Sequence, residues 1–192
     1  MVKVGFIVEG ETEKIIIESE QFRAFLQKHG YELIDPVVNA KGGGNLLPKN
    51  IEPSIKAIEQ GQPDKIFVLT DLENNASIAD VRQRIYHAKI ELVFVAVKAI
   101  EAWFLADTQA MKKFLKSENF ALETYPEQTV TMPFDRIKEI IMQLKVRGIG
   151  SKVLLAKQMT KHHGFSIENS ANHPNCPSAK ELVDYFTLHK EL

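Results

Sequence analysis

The sequence predicts an α/β protein with a mostly parallel four-stranded sheet flanked by helices. Three observations predict this class. Short apolar runs that end in turns alternate with segments whose apolar residues recur at helical spacing. The links between them are short, which favours parallel strands joined by crossover helices. Beyond residue 108 only helical patterns remain. We therefore expect an α/β domain over 1–108 and a helical extension over 109–192 packed on it.

The predicted strands are the short apolar runs of the first hundred residues, and Pro36 marks the second as an edge strand or a bulged one. These strands cover 2–8, 31–38, 65–70 and 91–97. Helices are predicted between and after them, the first capped by Thr12, and a loop is predicted over 167–177. The predicted helices cover 12–29, 46–59, 78–88, 99–106, 111–116, 134–145, 151–162 and 178–189.

Composition excludes several classes of protein. With 24 basic and 25 acidic residues, the net charge is −1, which argues against a protein that coats nucleic acid through bulk positive charge. A single cysteine forms neither an intrachain disulfide nor a thiolate zinc cage. The most apolar stretch, 92–106, is interrupted by Lys98 and Glu101 and is too short to span a membrane. We expect a reduced, cytoplasmic protein with no membrane partner; the sequence does not indicate an oligomeric state.

Acidic residues follow three of the four predicted strands. Glu9 follows the first, Asp71 and Glu73 follow the third, and Glu101 and then Asp107 follow the fourth. Ligands of open parallel sheets bind at the carboxyl ends of the strands. Converging carboxylates repel one another, and Mg²⁺ prefers such oxygen ligands. The pattern favours a divalent-cation site, although any one of these acids is also typical of a turn or a helix cap.

Two further segments each have two interpretations, one functional and one purely structural. The loop that begins Lys41-Gly42-Gly43 is suited to bind a phosphate through its amides, or it is simply flexible. Residues 146–152, which include Arg147, suggest a helix-hairpin-helix that contacts a nucleic-acid backbone; a plain turn between helices is the alternative. Lys152 or Lys157 is the candidate cation for stabilising transition-state charge.

Two motifs resemble those of TOPRIM domains. Residues 8–13 (Val-Glu-Gly-Glu-Thr-Glu) resemble the first motif, a strand ending in Glu-Gly before a helix, and residues 68–73 (Val-Leu-Thr-Asp-Leu-Glu) resemble the second, a strand ending in Asp-x-Asp. The resemblance covers about residues 1–107. Residues 99–107 are similar to a segment of small stand-alone bacterial proteins related to the OLD-type nucleases of this family. This chain departs from the second motif in having Glu73 where the family has Asp.

The resemblance implies a Rossmann-like TOPRIM fold and a nuclease that uses Mg²⁺ or Mn²⁺ to hydrolyse phosphodiesters of DNA or RNA. Asp71 and Glu73 would hold the ion, Glu9 would ligate metal or act as general acid/base, and Glu101 would be a further ligand. Glu13 matches the acid of the first motif and is a catalytic candidate together with Lys152. Family context implies defence or nucleic-acid processing, often beside an ATPase partner.

Two other functions stay open at the level of sequence. A catalytically inactive TOPRIM-like binding or regulatory module is favoured slightly by Glu73 and by the absence of strong positive charge. A receiver-like phosphotransfer protein requires one nucleophilic Asp at a strand end, and Asp71 is the candidate.

Overall fold

The computed structural model describes residues 1–189, in which five strands and ten α-helices alternate and then give way to helices alone. The strands are β1 (Val2–Val8), β2 (Tyr31–Leu33), β3 (Val38–Asn39), β4 (Lys65–Asp71) and β5 (Ile90–Ala96). The helices are α1 (Glu11–Ile17), α2 (Glu20–Lys28), α3 (Glu52–Glu59), α4 (Ile78–Arg84), α5 (Glu101–Ala106), α6 (Thr108–Leu115), α7 (Pro133–Gln143), α8 (Lys152–His162), α9 (Ile167–Ala171) and α10 (Pro177–Leu188). Short 3₁₀ helices lie at Gly43–Leu46 and Pro126–Gln128.

The sheet is parallel throughout, with the order β2-β1-β4-β5 and with β3 pairing β1 beyond the end of β2. The α/β class and the parallel sheet are thus confirmed, but there are five strands rather than four. The predicted strand 31–38 divides into β2 and β3, and Pro36 lies between them. Proline has no N–H to donate to a sheet ladder, so pairing with β1 stops there and resumes at Val38.

Alternate residues of the central strands face two separate cores. Phe6 of β1 points into a large core shared with α2 and α10, whereas Ile7 points into a smaller core beneath α3 and α4. Gly5 allows α3 to approach the sheet closely, because a Cβ at that position would lie 2.6 Å from Cγ1 of Ile58. Both faces of the sheet are therefore covered, as parallel sheets require.

The helical extension contributes to the large core. The ring of Phe186 in α10 lies 5.2 Å from that of Phe67, 6.0 Å from that of Phe94 and 6.3 Å from that of Phe6, measured between centroids. These three phenylalanines come from β4, β5 and β1. The last helix described therefore packs directly on the face of the sheet.

Several predicted helices differ from those observed. The helix expected over 12–29 is two helices, α1 and α2, because Ser19 is extended and its hydroxyl accepts a hydrogen bond from the Phe22 amide, capping α2. Gly10, not Thr12, precedes α1 as its cap residue, and Thr12 is buried in the first turn. The helix expected over 46–59 begins only at Glu52. The loop expected over 167–177 contains α9.

No helix in the described part of the chain is long and apolar enough to cross a membrane. This agrees with the sequence-based expectation for the stretch 92–106, which the structure divides between β5 and the short helix α5.

Candidate carboxylate site

The sheet register brings Glu9 and Asp71 together. Val8 pairs with Leu69 in neighbouring parallel strands, so Glu9, the residue after β1, lies beside Thr70 and Asp71 at the end of β4. The Glu9 amide continues the ladder by donating to the Leu69 carbonyl at 3.0 Å. The predicted convergence of the acids that follow β1 and β4 is therefore present.

The Glu9 carboxylate is fixed by three donors. Oε1 accepts a hydrogen bond from the Gly43 amide at 3.1 Å, and Oε2 accepts one from the Asp71 amide at 3.3 Å and another from the Thr70 hydroxyl. These three hydrogen bonds hold the Glu9 carboxylate in one orientation.

Asp71 links the strand end to α5. Its Oδ1 accepts a hydrogen bond from the Ile100 amide at 2.8 Å, immediately before Glu101 begins that helix. Burial raises the pKa of Asp71 well above its ordinary value, and the charges of Glu13, Glu101 and Glu9 raise it further. The folded protein therefore favours the neutral form of this carboxyl more than water does.

Glu101 is the most buried acid of the site, with 1% of its surface exposed. The Lys152 ammonium lies 3.1 Å from its Oε2 and is its ion-pair partner within residues 1–189. Burial raises the pKa of Glu101, and Lys152 opposes that shift. Burial lowers the pKa of Lys152, but the Glu101, Asp71 and Glu13 carboxylates outweigh it and the pKa is raised overall.

Glu13 lies in the first turn of α1 and is 5% exposed. Burial is the main reason that its pKa rises from 4.5 to about 7. The neighbouring charges of Glu9 and Glu101 add to the rise, while a backbone hydrogen bond and Lys152 oppose it. A carboxyl with this pKa exchanges a proton near neutral pH, which is the property required of a general acid or base.

Four acids from separate parts of the fold thus form one group, which we call the carboxylate cluster: Glu9, Glu13, Asp71 and Glu101. They line a hollow of about 440 Å³ together with Lys41 and Lys152. Lys152 is brought there by α8, which packs against α1 and has Ser151 as its N-cap.

Glu73 lies outside this hollow. It is exposed, its φ of 48° is in the left-handed region, and its amide donates to the Lys98 carbonyl at 2.8 Å. It lines an adjoining hollow of about 340 Å³, which also contains Glu9 and Asp71. Glu73 therefore shares a hollow with Glu9 and Asp71 but not with Glu13 and Glu101.

The glycine loop contacts the cluster instead of leaving its amides free for a phosphate. The Gly42 amide donates to the Glu9 carbonyl at 2.8 Å, and the Gly43 amide donates to the Glu9 carboxylate. A Cβ at position 43 would lie 3.0 Å from Oε1 of Glu9. The predicted role of these amides as a phosphate cradle is therefore replaced by the positioning of Glu9, and Lys41 is the loop residue that lines the hollow.

The segment around Arg147 does not have the compact turn of a helix-hairpin-helix. Eight residues, 144–151, separate α7 from α8, and Arg147 is exposed among them. A Cβ on Gly148 or Gly150 would meet no atom within 4 Å, so no close approach of the backbone requires either glycine. Lys157 lines a different hollow, between α8 and the first two helices. Of the predicted cations, only Lys41 and Lys152 line the hollow of the carboxylate cluster.

Asp107 has a structural role. It is fully buried, and its carboxylate accepts hydrogen bonds from the Ala110 amide at 3.0 Å and from the Ser166 amide at 2.9 Å, with Asn169 nearby. It therefore caps α6 and ties that helix to the segment before α9, and it is not a further acid of the site.

Two residues near the site were not singled out from the sequence. Thr70 donates its hydroxyl to Glu9; the signal was its place directly before Asp71 on a buried strand. Arg84 lines the hollow that contains Glu73, Glu9 and Asp71. It follows Asp71 by 13 residues, at the end of α4, and nothing in the local sequence points to it.

Within residues 1–189, no three His, Cys, Asp or Glu side chains are already arranged to hold a metal ion. Comparisons with protein-family models, with curated proteins and with solved structures find no match for this chain.

Proposed function

We propose that this chain is a divalent-metal-dependent phosphodiesterase that cleaves DNA or RNA, built on a TOPRIM-like α/β domain. The observation that carries the proposal is the carboxylate cluster. Four acids from β1, α1, β4 and α5 meet at the carboxyl ends of the strands with one lysine between them. Burial raises the pKa values of three of them, Glu13, Asp71 and Glu101, and the charges of neighbouring cluster acids raise those of Glu13 and Asp71 further. A divalent cation relieves both effects.

The residues fit Mg²⁺ or Mn²⁺ in donor type and in charge. Hard cations take carboxylate oxygens, and Mg²⁺ keeps several waters, so a few protein ligands are sufficient. The Glu101 carboxylate is buried, and Lys152 is its ion-pair partner among the described residues, so a cation that displaced this lysine would find both oxygens as ligands. We assign Glu9, Asp71 and Glu101 as ligands, with Glu73 approaching from the adjoining hollow. Lys152, which compensates Glu101, would be displaced from that carboxylate by a bound ion.

A bound ion would polarise the scissile phosphate and lower the pKa of the attacking water. Glu13, with its pKa near 7, accepts the proton of that water or protonates the leaving oxygen. Lys152, once released from Glu101, and Lys41 of the glycine loop offer positive charge to the phosphate oxygens in the same hollow.

The Lys152–Glu101 ion pair also favours a second candidate function, a binding module without catalytic activity. In that case the ammonium takes the place of the cation permanently. A receiver-like phosphotransfer role has less support, because the raised pKa of Asp71 disfavours the anionic nucleophile that it requires. The ATPase partner rests on the family resemblance alone.

The test is a plasmid-nicking assay with Mg²⁺, Mn²⁺ or EDTA. We expect metal-dependent nicking in the wild type, a loss of at least a hundredfold in Asp71→Asn and Glu9→Gln, and no change in Glu118→Gln, which removes a fully exposed acid. Binding of Mn²⁺, measured by calorimetry on the same proteins, separates the two candidates. Metal binding without nicking supports the module, and neither binding nor nicking refutes both.

A further inference from the structure

Two hollows of the site share Glu9 and Asp71 in their walls and therefore adjoin each other. The first, with Lys41 and Lys152, lies on the Glu13 side of those carboxylates, and the second lies on the Glu73 side. Their volumes, about 440 and 340 Å³, are each at the lower end of the range for pockets that hold a small organic molecule. A compact ligand would fill one hollow, whereas a chain of nucleotides would occupy both.

Arg84 is the cation of the second hollow. It is exposed at the end of α4, and within residues 1–189 it makes neither an ion pair nor a side-chain hydrogen bond. Glu73, Glu9 and Asp71 are the acids of the same hollow, and Arg84 is not paired with any of them at 4.0 Å or less among those residues. By contrast, Arg82 of the same helix is tied to Glu181 at 2.7 Å and to the Val93 carbonyl.

We infer that Arg84 binds the backbone phosphate next to the scissile one, so that the substrate is an extended polynucleotide lying across both hollows. This inference rests on the proposed function. A guanidinium presents a planar fork that matches two phosphate oxygens, and its charge is permanent. In the first hollow, Lys41 and Lys152 offer positive charge to the phosphate under attack. Each hollow therefore holds a cation for one phosphate of the chain.

The experiment compares the activity of the same chain on two substrates in the presence of Mn²⁺. One is bis(p-nitrophenyl) phosphate, a small diester that reaches only the carboxylates, and the other is a labelled single-stranded oligonucleotide, tested as DNA and as RNA. For Arg84→Ala we expect KM for the oligonucleotide to rise roughly tenfold or more, with kcat unchanged, because a charge-assisted contact made away from the reacting atoms is lost. We expect kcat/KM for the small diester to stay the same.

Two further variants sharpen the test. Arg84→Lys should lie between the wild type and Arg84→Ala, since it keeps the charge but loses the fork. The slope of log KM against log salt should fall by about one in Arg84→Ala, as expected when one phosphate contact is removed. Lys56→Ala, which removes an exposed cation from α3, is the control and should change neither quantity.

An unchanged oligonucleotide KM in Arg84→Ala, in a protein that cleaves both substrates, overturns this inference and leaves the proposed function intact. An equal loss on the small diester also overturns it, because Arg84 would then act on the catalytic centre or on the fold. If the wild type cleaves neither substrate, the proposed function fails and this inference fails with it.

Discussion

Glu13→Gln tests the electrostatics of the carboxylate cluster without any assumption about substrate. The change removes a charge from a side chain that is 5% exposed and keeps its shape. The folded-state pKa of about 7 lies above the ordinary 4.5, so the folded protein binds this proton more tightly than the unfolded chain does. The stabilising contribution of the proton is complete below pH 4.5 and is lost as pH rises through 7.

The magnitude follows from the size of the shift. At 1.36 kcal/mol per pKa unit, a rise from 4.5 to about 7 corresponds to roughly 3 kcal/mol in total. Between pH 5 and pH 8 the wild type loses about 2–3 kcal/mol of this stabilisation, because the unfolded carboxyl is already largely ionised at pH 5. The free energy of unfolding of Glu13→Gln should therefore rise, relative to that of the wild type, by that amount over this interval.

The assay is urea denaturation of both proteins at several values of pH between 5 and 8, in EDTA. Glu11→Gln is the matched control, since Glu11 belongs to the same helical turn but is exposed. It should show the pH dependence of the wild type. A difference between Glu13→Gln and the wild type that does not change with pH would refute the reasoning, because it would mean that Glu13 gains no proton on folding.

Three other predictions concern the ion, the glycine loop and the helical extension. Mn²⁺ at a hundred times its dissociation constant should stabilise the wild type at pH 8 by about 2.7 kcal/mol in thermal or urea unfolding, and Asp71→Asn should abolish that gain. Gly43→Ala should lower nicking activity at least tenfold while the protein stays folded, because the new Cβ lies 3.0 Å from Oε1 of Glu9 and displaces it. Phe186→Ala should lower the free energy of unfolding by about 3–5 kcal/mol, since its buried ring packs against three strands of the sheet.

The chain offers a matched control for two of these variants. Gly44→Ala places a methyl group where no atom lies within 4 Å, so it should keep full activity; an equal loss in both glycine variants would point to loop flexibility instead of a clash with Glu9. Leu188→Ala removes an exposed side chain from the same helix as Phe186 and should cost less than about 0.5 kcal/mol. A Phe186→Ala protein as stable as Leu188→Ala would contradict the role of α10 in the core.

The parts of the fold that the sequence predicts are those set by local pattern. The buried strands that end at Glu9 and Asp71 are visible as apolar runs, and the rule that ligands bind at the carboxyl ends of parallel strands places both acids on one edge. The end of the first helix was missed because Ser19 interrupts an apolar pattern that continues on both sides of it. Here the local cap determines where the second helix begins.

The rest of the site depends on long-range packing that no local pattern encodes. Asp107 and Glu101 look alike in sequence, six residues apart, yet the first caps its own helix and accepts a hydrogen bond from the distant Ser166 amide, whereas the second pairs with the distant Lys152. Lys152 was one of two candidate lysines on the same helix, and only the packing of α8 against α1 selects it over Lys157. The Gly43 amide was predicted to bind phosphate, but it donates to Glu9, which is its neighbour in space and not in sequence.

The placement of α10 determines when the early part of the chain can complete its folding during synthesis. A nascent chain of about a hundred residues carries every acid of the cluster except Glu101, but it lacks Phe186 to cover its aromatic face and Lys152 to offset its negative charge. Those carboxylates would repel one another on a sheet whose apolar face is still exposed to water. The early strands can therefore reach their final packing only after Phe186 has been synthesised.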